Sequence, residues 1–143
     1  MKLIYLLDTN IISEMAKPQP DANVIERISR HDGHMGVPAL VWHELLYGVA
    51  RLPEGKRRAS LRSFLYEIVS PNFPVVPYDE HAAFIHAAAR QLQVERGKTA
   101  AFVDSQIAAI AVANNLILVT RNGFDSDGFT GLMREDWFSQ PWA

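Results

Sequence analysis

Leu3-Ile4-Tyr5-Leu6-Leu7-Asp8-Thr9-Asn10 is the stretch on which the reading of the whole chain turns. Its five apolar residues end in one carboxylate, the pattern of a strand buried on both faces with a charge only at its C-terminal end. Ile11-Ile12-Ser13-Glu14-Met15 follows at once, so the strand is expected to turn directly into a helix capped by Thr9 or Asn10. A carboxylate so placed lies where open α/β sheets bind ligands, outside the carboxyl ends of the strands. Taken alone, Asp8 is explained equally well as a helix cap. What separates the two readings is whether other acids converge on it.

Working outward, short apolar runs alternate with helical patterns. Lys17-Pro18-Gln19-Pro20 is a connector, and Asp21 caps a helix over Ala22–Arg30 with Val24, Ile25 and Ile28 in its apolar stripe. Met35–Pro38 reads as a strand. Residues 39–50 read as a helix with Trp42, Leu45, Leu46 and Val49 toward the core and Leu40, Glu44, Tyr47 and Gly48 on another face. A helix over 56–68 is expected to bury Leu61, Phe64, Leu65 and Ile68, with a loop over 70–74 and a strand at Val75-Val76. Asp79 caps a helix running to Glu95, with Ala83, Phe84, Ala87, Ala88 and Leu92 inward, and Gly97 ends it. Residues 101–114 form the most apolar helix, and 116–120 a second buried strand. Such alternation predicts an α/β domain with a mainly parallel central sheet. There is no internal repeat and no long linker, so residues 1–143 are expected to form one domain.

Composition narrows the function. The absence of cysteine excludes a disulfide framework and any thiolate metal site, so a metal would need oxygen or imidazole ligands. The opening apolar run is too short, and Asp8 and Glu14 follow too closely, for a signal peptide or a membrane span. A cytoplasmic location without a membrane partner is the expectation. A net charge of −2 argues against coating nucleic acid by bulk electrostatics. The one basic cluster, Lys56-Arg57-Arg58 with Arg51 and Arg62, reads first as a solvated helix face and second as a track for an RNA backbone.

Three further carboxylate positions are placed to meet Asp8. Asp104 shares a helix face with Ala108 and Ala111, whose small side chains allow close approach; by itself it is an ordinary helix-dipole complement. Glu44 keeps apolar or small company, and a half-buried carboxylate needs a cation or a hydrogen-bond partner. Arg51, two turns on, is one available cation. The loop after the second buried strand carries Asp125 and Asp127, and in a parallel sheet it leaves at the same end as Asp8; as a turn it needs no function. Three or four carboxylates form a hard-oxygen site suited to Mg²⁺ or Mn²⁺, and the matching chemistry is attack of activated water on a phosphodiester.

Two near-matches fail. His43-Glu44-Leu45-Leu46-Tyr47 lacks the second histidine of a zinc-protease helix, and Asp125-Ser126-Asp127-Gly128 would put Gly123 and Arg134 at the calcium-loop positions that need acids. His31, His34, His81 and His86 have no metal spacing and read as surface or helix-cap residues.

In order along the chain, Leu6-Leu7-Asp8-Thr9-Asn10-Ile11-Ile12-Ser13-Glu14, Glu44-Leu45-x-x-Gly48, Gly97 seven residues before Asp104, Asp104-x-x-Ile107-Ala108-Ala109, and Val119-Thr120-Arg121-Asn122 resemble the PIN-domain family, most closely its VapC-type toxins and FitB proteins. The resemblance implies a three-layer α/β/α sandwich and a Mg²⁺- or Mn²⁺-dependent endoribonuclease that cuts tRNA or rRNA loops. It also implies a small antitoxin as partner and a homodimer; the alternative is a catalytically silent RNA- or protein-binding module. Asp8, Glu44 and Asp104 fall on the three family acids and Asp125 on the fourth, but Ser126 stands where the family has Phe, so Asp127 remains a second choice. Asn10, Thr120 and Asn122 are candidates for orienting the carboxylates. The tail departs too, with Met133-Arg134-Glu135-Asp136 in place of an apolar strand and Pro141-Trp142 in family style.

Overall fold

The computed structural model describes residues 2–99, 101–121, 123 and 126–138. Its strands are β1 (Tyr5–Leu7), β2 (Met35–Pro38), β3 (Val75–Val76), β4 (Ile117–Val119) and β5 (Met133–Glu135). They form one sheet in the order β3-β2-β1-β4-β5, every neighbouring pair parallel. The helices are α1 (Thr9–Met15), α2 (Ala22–Arg30), α3 (Ala39–Ala50), α4 (Lys56–Ser63), α5 (Ser70–Asn72), α6 (Glu80–Glu95) and α7 (Phe102–Ala113). As in other all-parallel sheets the strands are covered on both faces, and the result is a three-layer α/β/α sandwich.

β1 lies at the centre, and Leu6 and Leu7 are wholly buried, as their apolar run requires. From β1 the chain builds outward to β2 and β3, then crosses back to lay down β4 and β5 on the other side. The order therefore reverses between β1 and β4, and crevices form at such switch points, at the carboxyl ends of the strands. Met133–Glu135 forms a strand despite its polar sequence. It is the sheet edge, paired only with β4, and an edge needs no apolar run.

Three helical readings are corrected. The cap of α1 is Asp8, whose side chain accepts from the Thr9 N–H, rather than Thr9 or Asn10. α4 does not end in a loop: it passes through a π-helical stretch, Phe64–Val69, into α5. The wider π turn shifts the phase of the inward face, so Leu65 and Val69 are buried while Ile68, expected inside, is exposed. In α6 the buried positions are Ala82, His86, Ala89 and Gln93; Ala87 and Ala88 are exposed and Phe84 is 73% exposed. Polar His86 and Gln93 lie inside because each has a partner. Tyr78 Oη is 3.0 Å from His86 Nδ1, and Gln93 Nε2 donates to the Asp127 carbonyl at 2.8 Å.

α1 is tied to α2 through buried Glu14. Its carboxylate pairs with Lys17 Nζ at 2.8 Å and accepts the Asp21 N–H at 2.8 Å, which together hold its pKa below the ordinary glutamate value. His31 is the C-cap of α2, one of the two roles its position suggests, and its ring packs against Tyr5 and buried Trp137, at 4.5 and 5.4 Å between centroids. Gly97, at φ +70°, ends α6 in the left-handed region as its position predicts.

Candidate active site

The parallel register builds the site. Leu7 pairs with Val119, so the next residues, Asp8 and Thr120, emerge side by side at the switch point. Thr120 Oγ1 donates to Asp8 Oδ2 at 2.8 Å and the Thr9 N–H donates to Asp8 Oδ1 at 2.7 Å. Both carboxylate oxygens of this buried acid are therefore held by donors. Thr9 also reaches sideways: its hydroxyl donates to Glu44 Oε2 at 2.7 Å. Glu44 is within reach because Pro38, the last residue of β2, is itself the cap of α3, so α3 springs from the same end of the sheet.

α7 runs back toward the start of β4, which leaves its first turn, with Asp104, at the carboxyl end of the strands. The Asp104 carboxyl is half-buried, and among the described residues no hydrogen bond reaches it. Burial, and then repulsion from Asp8 and Glu44, push its pKa above the ordinary aspartate value. Asp8, Glu44 and Asp104 thus feel one another as charges. Two of the three are tethered by donors and the third is not.

The cation expected near Glu44 is engaged elsewhere. The Arg51 guanidinium lies over the Tyr47 ring, 5.2 Å from its centroid, and Glu44 is held by Thr9 instead. Asn10 is half-committed: its Oδ1 accepts the Arg121 N–H at 3.4 Å, while its buried Nδ2 has no partner. Asp127 is bound to Arg96 and to Lys98 (3.2 Å), which lower its pKa and tie it to the end of α6. Asp125 and Asn122, and with them the expected fourth acid, lie outside the described residues, as does Pro141-Trp142. Thr9 is the residue that sequence reading missed, having been seen only as a cap. Its position immediately after Asp8, at the root of the helix, was the available signal.

Among the described residues no three acids or imidazoles are gathered into a ready-made metal cage. That arrangement suits the cation the donor set implies. Mg²⁺ keeps several waters and is held by one or two carboxylates plus substrate phosphates, not by an all-protein cage. Three mutually repelling carboxylates, one of them without a donor, fit such an open site.

The family model described as PIN domain matches residues 5–125. Toxin FitB of Neisseria gonorrhoeae is 36% identical over 124 residues, covering 83% of this chain and 88% of the relative. The tRNA(fMet)-specific endonuclease VapC of Shigella flexneri is 32% identical over 137 residues, covering 94% and 98%. The crystal structure of FitAcB from Neisseria gonorrhoeae superposes with a TM-score of 0.76 at 34% identity, over 99% of each chain.

Proposed function

This chain belongs to the PIN domain family, and from that premise we propose that it is a metal-dependent endoribonuclease, the toxin of a toxin–antitoxin pair. The observation that carries the reading is Asp104. A half-buried carboxylate with no donor among the described residues, beside two others, is a poor structural element and a good cation ligand. The names of the relatives, a toxin and a tRNA-specific endonuclease, supply the substrate class and the biological setting.

In this reading Asp8, Glu44 and Asp104 hold Mg²⁺ or Mn²⁺, with Asp125 as the fourth acid. A bound cation would activate water and offset charge on the phosphoryl oxygens. The chain's own residues do the positioning. Thr120 and the Thr9 N–H fix the Asp8 carboxylate, and the Thr9 hydroxyl fixes Glu44. The buried Asn10 Nδ2, without a partner among the described residues, offers a donor to an internal water. Tyr47, one turn beyond Glu44 and 56% exposed, lies beside His43 and under the Arg51 guanidinium, which puts an aromatic ring and a cation on the same helix as Glu44 for a single-stranded RNA to meet.

A small antitoxin is the expected partner, and a second copy of the chain another. Exposed Phe84, Val94 and Val103 are apolar surface available to them. Among the described residues no helix is long and apolar enough to cross a membrane. The alternative, a silent binding module, would have to retain the acidic repulsion for no return.

The test is cleavage of total tRNA and rRNA by purified protein with Mg²⁺ or Mn²⁺, with EDTA, and by the Asp104→Asn variant. Discrete fragments that vanish with EDTA and in the variant are expected. Equal cleavage by wild type and variant would refute the assignment of the acids.

A further inference from the structure

A second concavity lies between α6 and α7, apart from the acids. It is a recess of about 180 Å³ whose lining includes His86, Arg90, Gln93, Lys98, Phe102 and Ser105. Ser105 follows Asp104 in α7, and one residue turns a helix by about 100°, which separates the two side chains. Ser105 is 1% exposed and its hydroxyl has no hydrogen-bond partner among the described residues, an arrangement folded proteins ordinarily avoid. His86 is fixed by Tyr78 through Nδ1, and no described residue bonds its Nε2. The Arg90 guanidinium lies over the Phe102 ring at 5.2 Å, and Lys98 supplies an ammonium already bridged to Asp127. Among the described residues no carboxylate lines the recess. Hydroxyl, imidazole and two cations together form a donor-rich, acceptor-poor wall.

We propose that this recess is a phosphate-binding site, in which the Ser105 hydroxyl and the Arg90 guanidinium donate to a phosphate oxygen. A recess of about 180 Å³ has room for a phosphate group. Burial and the nearby Arg90 charge hold the His86 pKa below the ordinary histidine value, so its ring contributes as a neutral hydrogen-bonding group. The phosphate can come from the backbone of a bound RNA strand or from a free phosphate ester; the chemistry of the recess is the same. The proposal rests on the recess and not on the nuclease reading.

The experiment is a calorimetric titration of the full chain, in EDTA, with inorganic phosphate. Saturable binding is expected for wild type. Ser105→Ala and Arg90→Gln should each weaken it about tenfold or more, the loss expected for one hydrogen bond to a charged group. Melting of Ser105→Ala should not fall, because it removes an unpaired buried hydroxyl; a purely structural role for Ser105 would lower melting and leave binding unchanged. A short oligoribonucleotide that displaces phosphate identifies the strand as its source, whereas lack of displacement identifies a free ester. No saturable binding by wild type, or equal binding by wild type and both variants, overturns the proposal. RNA cleavage, assayed in parallel, separates the two readings: if cleavage is absent while phosphate binds, the nuclease assignment fails and this one stands.

Discussion

Replacing Thr120 with valine keeps the shape of the side chain and removes the 2.8 Å hydrogen bond from its hydroxyl to Asp8 Oδ2. Thr120 is 6% and Asp8 7% exposed, so water cannot readily take the donor's place. A hydrogen bond to a charged group contributes about 1.5–3 kcal/mol. Asp8 keeps the Thr9 N–H, which puts the expected loss in the lower part of that range, about 1.5–2 kcal/mol. For a chain of 143 residues, at about 3–4 °C per kcal/mol, the melting temperature should fall by about 5–8 °C. Thermal unfolding by circular dichroism in EDTA reads this directly. Thr120→Ser keeps the hydroxyl and should recover most of the loss. In a double-mutant cycle with Asp8→Asn, the two effects should couple by about 1–2 kcal/mol, as contacting residues do. RNA cleavage should drop in the valine variant and return in the serine variant, because the bond orients a ligand carboxylate and does not touch substrate. Unchanged melting in Thr120→Val, or strictly additive effects in the cycle, would refute the view that this hydroxyl holds Asp8 in place.

Three other outcomes follow from the same geometry. Asp104→Asn should melt higher than wild type in EDTA at neutral pH. Because the folded protein binds the Asp104 proton more readily than the unfolded chain, wild-type stability falls as pH rises through the raised pKa, and the gap should close below the ordinary aspartate value of 3.8; added Mn²⁺ should raise the melting of wild type and not of the variant. Thr9→Val should cut RNA turnover with little change in melting, since its bond to Glu44 is solvent-exposed, and Thr9→Ser should restore turnover; equal turnover in all three would remove Thr9 from the site. Glu14→Gln should destabilise by about 1.5–3 kcal/mol through loss of charge on a buried, hydrogen-bonded acceptor. Glu14 has a lowered folded pKa, so its contribution is present above the ordinary value of 4.5 and lost as pH falls through the folded one; urea melts at neutral and acidic pH should show wild type and variant converging in acid.

What the sequence made legible was local. The five-residue run before Asp8 pointed to a buried strand, of which Tyr5–Leu7 is strand and Ile4 is exposed, and the short apolar runs near residues 35 and 117 followed the same logic, so the parallel sheet was readable. What stayed hidden depended on distant contacts. His86 and Gln93 occupy the inner face of α6 because Tyr78 and Asp127 satisfy them, and the Gln93 bond spans 34 positions, beyond any local window. Phe84, which the helical pattern placed inward, lies outside. The phase of α4 was lost at the π turn, which a uniform helical period cannot represent. The Thr9–Glu44 bond spans 35 positions, and nothing in the composition around Glu44 favoured a threonine over Arg51 as its partner.

The three acids at 8, 44 and 104 are far apart in sequence and meet because each stands where a strand or helix begins or ends on one side of the sheet. The fold then treats them unequally. Donors from Thr9 and Thr120 hold the carboxylates of Asp8 and Glu44, whereas burial, and then repulsion from those two, raises the proton affinity of Asp104. The strain of assembling the site therefore falls on Asp104, the one of these three carboxylates without a donor among the described residues. A cation relieves that strain in proportion to its size, so the repulsion that destabilises the metal-free protein is the same interaction that draws a metal in. Since both effects arise from the same three charges, a substitution that removes the first must weaken the second.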